Sequence, residues 1–296
     1  MSGRLAALAA GDPVCRPVVG DWVAHTPGGG SGAVVIRDVL PRQTVFSRKA
    51  ATAVTAVQVV AANLTTLFLV VSADAGFNLR RLERYLVQAV ESGAAPVVVL
   101  NKADLARDMD TLLAQLREVA PGFPIHAVSA THGDGLTGLA PYLGPGQTVA
   151  LLGSSGVGKS TLVNAIAGAD LRRTAAVRED DRRGRHTTTD RRLLRLPAGA
   201  LLLDTPGMRE LALWADADTV DEAFPDIVAL SAGCRFTDCA HGAEPGCAVK
   251  GAVEAGSLPP RRLQSYRKLA AEAARLALRR AARPGQGPGG PPAPAG

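Results

Sequence analysis

The sequence predicts a multidomain chain in which short β-strands precede a central α/β domain and a mainly helical region follows it. Three observations predict this fold class. Residues 17–60 alternate apolar and polar positions around Gly and Pro turns, a pattern typical of short strands. From Leu64 onward, apolar runs alternate with helical patterns, as in a mainly parallel sheet. After Trp214 the pattern becomes helical and contains Cys and His.

Length and charge limit the classes of protein to consider. A chain of 296 residues accommodates roughly two domains of ~100–200 residues each. The net charge of +6 and the pI near 9.5 fit a nucleic-acid partner, because clustered Arg and Lys bind phosphates. A generally Arg-rich and Ala-rich composition without such a partner is the alternative that charge alone leaves open.

Neither a membrane span nor a secretory leader is predicted. The most apolar run, residues 67–71, has polar residues on both sides and falls far short of the ~20 apolar residues that a span needs. The first residues lack the apolar length and the small-residue cleavage site of a leader. We therefore expect a cytoplasmic protein.

The N-terminal stretch is predicted to consist of strands joined by tight turns. The pattern predicts strands at residues 17–24 and 33–40, on either side of the Gly-rich loop 28–32. Pro41 follows the second of these strands.

The central stretch predicts five buried strands and two amphipathic helices. The helices cover Leu79 to Glu91 and Met109 to Val119. The strands are Leu67 to Val71, Pro96 to Leu100, Ile125 to Val128, Val149 to Leu152, and Leu201 to Leu203.

The last stretch predicts a basic helix from roughly Pro260 to Ala282. The tail from Pro284 contains only Gly, Pro, Ala and Gln, a composition that favours disorder.

Residues 153–160 match the phosphate-loop pattern G-x-x-x-x-G-K-[ST], between an apolar strand and the start of a helix. Its backbone N–H groups would surround the phosphates, Lys159 would reach the β- and γ-phosphates, and the Ser160 hydroxyl would bind Mg²⁺. The residues expected here are Gly153, Ser154, Ser155, Gly156, Val157, Gly158, Lys159, Ser160 and Thr161.

A second motif, Asn101-Lys102-Ala103-Asp104, directly follows a buried strand, where α/β sheets bind ligands. In GTPases the Asp of this motif accepts hydrogen bonds from guanine N1–H and its 2-amino group, which adenine cannot offer. Ser129 and Ala130, after the next strand, are similar to the second guanine-contact motif. Together these residues predict a guanine site.

The motifs occur in an unusual order. The guanine motif precedes the phosphate loop, and Asp204-Thr205-Pro206-Gly207 comes last, whereas in an ordinary Ras-like protein the phosphate loop comes first. This order identifies a circularly permuted GTPase, in which the segment after Gly207 runs into a following domain.

Asp204 ends an apolar strand and is expected to hold Mg²⁺ through water, while the Gly207 N–H meets the γ-phosphate. The next residue is Met208. Ras-like enzymes have a Gln there that orients the attacking water, and a thioether cannot do so. Another residue must replace it, or hydrolysis is slow.

His186 is the candidate for that catalytic role, because a neutral imidazole can accept or relay a proton near pH 7. It lies between the phosphate loop and Asp204. A packing or RNA-contact role for His186 is the alternative. The run Thr187, Thr188 and Thr189 would offer a hydroxyl and a carbonyl to Mg²⁺ and the γ-phosphate.

Four potential metal ligands share one short window, Cys-x₄-Cys-x-His-x₅-Cys. They are Cys234, Cys239, His241 and Cys247. Three thiolates and one imidazole complete a tetrahedral Zn²⁺ shell with no open position, as in structural zinc sites. Disulfides are the rival interpretation, but the fourth Cys of the chain is the distant Cys15.

Together these features resemble the ribosome small-subunit-dependent GTPase A family over about Val19 to Leu269. The permuted order combined with the Cys/His cluster is the most specific feature. The resemblance also includes the segments Gly184 to Thr189, Asp204 to Glu210, Phe224 to Asp226, Glu244 to Val249 and Arg261 to Tyr266.

The resemblance implies an N-terminal OB-type barrel that binds RNA, a permuted GTPase domain and a C-terminal zinc domain. We place them at residues 1–60, 61–222 and 223–283, with a disordered tail at 284–296. It also implies a protein that acts in late maturation of the small ribosomal subunit, binds ribosomal RNA, and hydrolyses GTP with stimulation by the subunit. We expect this protein to be a monomer. The family's catalytic His matches His186.

One departure concerns the barrel. Family members have several strands before the stretch that begins at Val19, whereas here eighteen residues precede it, too few for a complete five-stranded barrel. Either the start codon is assigned downstream of the true one, or the barrel is partial.

Two classes of function remain open at this stage. One is a GTPase switch whose nucleotide state controls residence on the immature subunit. The other is a ribosome-binding placeholder that turns over negligibly, as Met208 would suggest. A permuted GTPase of another assembly pathway is a third alternative, but it would leave the Cys/His cluster unexplained.

Overall fold

The computed structural model describes residues 16–27, 34–49, 57–74, 76–168, 192–204 and 217–281. Several sequence-based predictions lie outside these ranges. They concern the Gly-rich loop 28–32, His186, the three threonines 187–189, Gly207, Met208, and the tail from Pro284.

The N-terminal part folds into two antiparallel strand pairs. β1 (Val23–Pro27) pairs with β2 (Val34–Val39), and β3 (Val45–Lys49) pairs with β4 (Val57–Ala62). In the described residues these pairs are separate two-stranded sheets. The strand predicted after the Gly-rich loop is therefore confirmed, whereas the strand predicted at 17–24 was wrong in its bounds, since β1 covers Val23–Pro27.

Three residues join the two strand pairs of this part to each other. Nε and Nη2 of Arg42 donate to the two carboxylate oxygens of Asp21, at 2.7 and 2.8 Å. Asn63, with a left-handed φ of 58°, accepts from the Gln43 N–H and donates to the Gly20 carbonyl. Its side chain thus joins the turns before β1 and β3 to the end of β4.

A six-stranded sheet forms the centre of the molecule, with strand order β7-β6-β5-β8-β10-β9. Its strands pair in parallel, except that β9 is antiparallel to β10. The strands are β5 (Thr66–Ser72), β6 (Ala95–Asn101), β7 (Ile125–Ala127), β8 (Thr148–Leu152), β9 (Arg192–Arg195) and β10 (Leu201–Asp204). The five predicted strands are confirmed within one residue at each end.

The chain order of these strands explains the order of the motifs. β8, which leads into the phosphate loop, lies between β5 and β10 although β5, β6 and β7 all precede it in sequence. The carboxyl ends of β5, β6, β7, β8 and β10 lie at one edge of the sheet because these strands are parallel. The nucleotide motifs follow β6, β7, β8 and β10.

Helices cover both faces of the sheet. α1 (Leu79–Ser92) begins at the N-cap Asn78 and ends at Gly93, and α2 (Met109–Val119) begins at the N-cap Asp108. α3 covers residues 159–168 directly after the phosphate loop. Two apolar clusters, one centred on Leu69 with α1 and one on Val70 with α3, fill the two sides.

The C-terminal region contains four helices in the described residues and a third apolar cluster. Val87 of α1 belongs to that cluster, so α1 packs against both parts of the molecule. The helices are α4 (Ala217–Ala223), α5 (Pro225–Ser231), α6 (Ala248–Glu254) and α7 (Pro260–Ala281). In the described part of the chain, every helix is too short or too polar to cross a membrane.

Candidate functional site

The phosphate loop has the close backbone packing that its glycines allow. Gly156 and Gly158 have left-handed φ angles of 83° and 90°, which residues with a Cβ rarely adopt. A Cβ on Gly153 would lie 2.5 Å from the Val70 carbonyl oxygen, and one on Gly158 would lie 2.3 Å from Nδ2 of Asn101. The loop therefore lies directly against the ends of β5 and β6.

Lys159 is held inside this loop. Its Nζ donates to the carbonyls of Gly153 and Ser154, both at 2.7 Å. Lys159 and Ser160 form the first turn of α3, where free backbone N–H groups and the helix dipole favour an anion. The loop thus offers an ammonium, a hydroxyl and backbone donors in one place.

Asn101 joins three loops of the site. It is buried at the end of β6, where its Nδ2 donates to the Val157 carbonyl at 2.9 Å and its Oδ1 accepts from the Ala130 N–H at 3.1 Å. A single side chain thereby connects the phosphate loop, the Asn-Lys-x-Asp loop and the Ser129-Ala130 loop. The structure brings together the three segments that the sequence predicted to share one site.

Lys102 contacts the phosphate loop from the other side. Its backbone is left-handed, with φ of 60°, and its Nζ donates to the Gly156 carbonyl and to Oδ2 of Asp74, both at 2.7 Å. Asp74 follows β5 and also accepts from the Ser72 hydroxyl and the Gly76 N–H. The hydrogen bond from Lys102, with those from Ser72 and Gly76, holds the pKa of Asp74 far below its usual value.

Asp104 lies beside Ser129 and His132. The hydrogen bond from the Ser129 side chain holds the pKa of the exposed Asp104 below its usual value. Nδ1 of His132 lies 3.0 Å from the Ser129 hydroxyl and 3.8 Å from Oδ2 of Asp104. Asp104 is thus ionised near neutral pH, as the recognition of guanine donors requires.

Asp204 ends β10 in the sheet position next to β8. The structure therefore brings its backbone to the same edge as the phosphate loop.

Sequence reasoning missed Asp74 and His132. Asp74 could have been found, because a carboxylate two residues after a buried strand lies at the binding edge when that strand is central. His132 carried no comparable signal, since its contact with Asp104 depends on the turn from Ser129 to Asp134, which the Ser129 N–H closes onto the Asp134 carbonyl.

The four metal-ligand candidates converge in the C-terminal region. Their ligand atoms all lie within 4.8 Å of one another. Sγ of Cys234 is 3.7 Å from Nδ1 of His241 and 3.9 Å from Sγ of Cys247, and Sγ of Cys247 is 3.5 Å from Nδ1 of His241. Tetrahedral Zn²⁺ separates such ligand atoms by roughly 3.5–3.8 Å, so these residues fit a zinc ion.

The surroundings orient His241. Its φ of 57° is left-handed, and Glu244 supports the turn by accepting from the N–H groups of Ala240 and Gly242. The imidazole is buried against the Tyr266 ring, with 5.9 Å between ring centres, and burial lowers the pKa of His241. A neutral imidazole is the form that binds metal.

Comparison with known proteins agrees with this geometry. Residues 39–214, more than half of the chain, match the family described as RsgA GTPase. The chain belongs to the RsgA GTPase family. As a member, it is an enzyme that hydrolyses GTP.

Individual relatives support the membership. The chain is 50% identical over 272 residues to the small ribosomal subunit biogenesis GTPase RsgA of Opitutus terrae, covering 89% of this chain and 74% of that protein. It is 49% identical over 257 residues to RsgA of Methanosarcina acetivorans, covering 87% of this chain and 70% of that protein.

Solved structures of the family share the fold. The crystal structure of YjeQ from Thermotoga maritima superposes with a TM-score of 0.66 and 32% identity, covering 88% of this chain and 85% of that one. YloQ, described as a circularly permuted GTPase, superposes with a TM-score of 0.64 and 27% identity, covering 88% of this chain and 82% of that one. The permuted GTPase fold that the motif order predicted is confirmed.

Proposed function

We propose that this protein is a GTPase that acts in maturation of the small ribosomal subunit, binds its ribosomal RNA, and hydrolyses GTP with stimulation by the subunit. One observation carries the GTPase site: the side chain of Asn101 bonds both to Val157 of the phosphate loop and to Ala130 of the second guanine loop. The names of the relatives in Opitutus and Methanosarcina supply the ribosomal role.

Asp104 reads the base. Its carboxylate accepts from guanine N1–H and the 2-amino group, and an analogue without these donors leaves a polar group unpaired. The backbone of Ser129 and Ala130 borders the base on its other side, and Lys102 contributes the link between the base loop and the phosphate loop.

The phosphate loop holds the phosphates through Lys159 and the N–H groups of residues 153–161. Mg²⁺ would bind the Ser160 hydroxyl, Asp204 through water, and the threonine run 187–189. When bound, the metal neutralises charge on the β- and γ-phosphates.

Catalysis falls to His186, with the Gly207 N–H on the γ-phosphate. Met208 occupies the position where Ras-like enzymes have a Gln, and it has no group that orients water. An imidazole that accepts or relays the proton of the attacking water supplies the missing function.

Zn²⁺ at the Cys/His cluster is structural. Three thiolates and one imidazole leave no open position for a substrate. The metal would stabilise the loop between α5 and α6, where few apolar side chains are available.

RNA binding belongs to the two ends of the chain. On α7 the exposed residues Arg261, Lys268 and Arg275 recur every seven positions, so they lie near one face of the helix. At the other end, Trp22, directly before β1, is 69% exposed, in a partial OB-type domain of residues 1–60. We assign residues 61–222 to the GTPase domain, 223–283 to the zinc domain and 284–296 to a disordered tail, in a monomer that works in the cytoplasm.

The deciding experiment is GTP hydrolysis by the full chain with and without small ribosomal subunits. We expect low basal turnover and strong stimulation at low salt, with the stimulation lost as salt rises, because RNA phosphates bind basic residues by counterion release. Binding to subunits without stimulated turnover would instead support the placeholder role.

A further inference from the structure

We propose that Asp74 is a positioning residue of the nucleotide site, which holds the Lys102 ammonium against the phosphate loop and thereby sets the affinity for guanine nucleotides, an inference that rests on the proposed function. Asp74 belongs to none of the nucleotide-binding motifs of the sequence. In the part of the chain that the structure describes, its carboxylate pairs with the motif lysine, Lys102.

The pairing of β5 with β6 produces this contact. Ser72 at the end of β5 is in register with Asn101 at the end of β6, and the Ala73 N–H donates to the Asn101 carbonyl at 2.9 Å. Asp74 follows Ala73, and Lys102 follows Asn101, so these two residues lie side by side just beyond the ends of the two strands. Their side chains meet at 2.7 Å above the edge of the sheet.

Both partners are held firmly. Asp74 accepts from the Ser72 hydroxyl at 2.7 Å and from the Gly76 N–H at 2.9 Å, both through Oδ1, which leaves Oδ2 for Lys102. Lys102 has a left-handed backbone that residues with a Cβ adopt only when their surroundings enforce it. The ion pair and the bond to the Gly156 carbonyl are two such constraints.

The consequence for nucleotide binding follows from where Lys102 attaches. It spans from the guanine motif to the phosphate loop, so it fixes the distance between the parts that hold base and phosphates. Without the carboxylate the ammonium keeps, among the described residues, the Gly156 carbonyl as its acceptor, and its long side chain gains freedom. Ordering it again on binding costs affinity.

If Asp74 acted mainly through its negative charge, its removal would have the opposite effect on nucleotide affinity. Asp74 also adds a negative charge near the place where an anionic ligand binds. If charge were its main influence, removing the carboxylate would tighten nucleotide binding, because repulsion would fall. Binding measurements on one substitution therefore separate positioning from charge.

Asp74→Asn is the sharpest variant. The amide oxygen can still accept from Ser72 and Gly76, while the amide nitrogen replaces the oxygen that accepts from Lys102 and cannot do so. Asp110→Asn is the matched control, because it removes the same charge from an exposed position in the first turn of α2. Thermal unfolding of each variant reports whether the fold is retained.

The experiment titrates the full chain with a fluorescent GDP analogue, measures its release on chasing with unlabelled GDP, and measures GTP by competition. We expect Asp74→Asn to raise the Kd for GDP and GTP alike by about ten-fold through faster release, the scale of one charge-assisted hydrogen bond. Turnover at saturating GTP should stay within about two-fold, so KM changes and kcat does not. Asp74→Glu should restore part of the affinity.

A second background tests whether Asp74 acts through Lys102. In a Lys102→Met chain, which keeps the aliphatic stem, adding Asp74→Asn should change the Kd by less than about two-fold, since coupled residues are not additive. An equal ten-fold loss in both backgrounds, or unchanged or tighter binding by Asp74→Asn alone, overturns the positioning role. A wild-type chain that binds no guanine nucleotide contradicts the proposed function itself.

Discussion

Arg262 and Glu83 form a buried ion pair that joins the last helix, α7, to α1 of the GTPase fold. Nη1 of Arg262 lies 3.3 Å from Oε1 of Glu83, and their side chains are 2% and 5% exposed. The same guanidinium donates to both carboxylate oxygens of Asp226, at 3.0 and 2.8 Å, and to the Val119 carbonyl at the end of α2. It also lies 3.9 Å from the centre of the Phe224 ring. One side chain of α7 therefore connects α1 and α2 to α5.

We expect Arg262→Ala to lower the free energy of unfolding by about 3–5 kcal/mol, because it leaves two carboxylates without their buried partner. Arg262→Lys should also destabilise, since an ammonium cannot donate in the planar fork that Asp226 accepts. Urea unfolding measures both. Arg267→Ala, exposed on the same helix, should change stability by no more than about 0.5 kcal/mol. An Arg262→Ala chain as stable as the wild type would contradict this account of the junction.

The pH dependence of stability in a Glu83→Gln variant tests the same junction between α7 and α1. Burial raises the pKa of Glu83 above its usual value despite Arg262, so the folded chain binds this proton at a higher pH than the unfolded chain does. The stabilisation from Glu83 is therefore complete below its unfolded pKa and is lost as pH rises through the folded pKa. Urea unfolding measures how far Glu83→Gln lowers the free energy of unfolding below that of the wild type. We expect this difference to become smaller between about pH 4, near the unfolded pKa, and neutral pH. If the difference in unfolding free energy becomes larger over this range, the attraction of Arg262 for the ionised Glu83 outweighs the desolvation of that carboxylate.

Much of the fold was predictable from the sequence, because the apolar pattern of these segments matches the burial of the strands and helices that they form. The runs at 67–71 and 96–100 are apolar throughout, as strands covered on both faces must be, and Asn78 and Asp108 cap helices at the expected starts. β9 was not predicted. Its sequence Arg192-Leu193-Leu194-Arg195 is short and ends in charges, which suits an edge strand but gives little periodicity to detect.

The features that were not predicted, at the junction of α7 with α1 and in the nucleotide site, depend on contacts between distant segments. The sequence predicted only that α7 is basic, and it gave no sign that Arg262 is buried, because Glu83 and Asp226, from two remote segments, converge on it. Asp74 became part of the site through the register of β5 and β6. The motif residues 101–104 and 153–160 were found because their chemistry is local in sequence.

Removal of the metal should affect the C-terminal region and spare the nucleotide site. We expect about one Zn²⁺ per chain, and Cys239→Ser or chelation should loosen residues 230–250 and weaken subunit binding. GTP binding should remain nearly intact, because the phosphate loop lies in a different part of the fold. Metal analysis, hydrogen exchange and nucleotide titration measure these effects, with Cys15→Ser as the control that keeps the cluster. Less than about 0.2 Zn²⁺ per chain in freshly reduced protein would exclude a structural zinc site.

Base choice should depend on Asp104. Asp104→Asn turns a carboxylate acceptor into an amide that can donate to the 2-oxo group of xanthine. We expect GTP affinity to fall by about 100-fold or more while xanthosine triphosphate binding improves, on the scale of losing charge-assisted hydrogen bonds. Competition titrations with both nucleotides measure the exchange. Wild-type GTP affinity in this variant would show that another residue reads the base.

Catalysis should depend on His186 because Met208 cannot orient the attacking water. We expect His186→Ala to lower the subunit-stimulated kcat by roughly 100-fold, the usual scale for a positioned acid or base, with little change in GTP affinity. The measurement is single-turnover GTP hydrolysis at saturating small subunits, so that weaker docking cannot imitate slower chemistry. His25→Ala, which removes an exposed imidazole on β1, is the matched control and should hydrolyse GTP at the wild-type rate. If His186→Ala does the same, the proton is handled by another group, and His186 is a packing or RNA-contact residue of its segment.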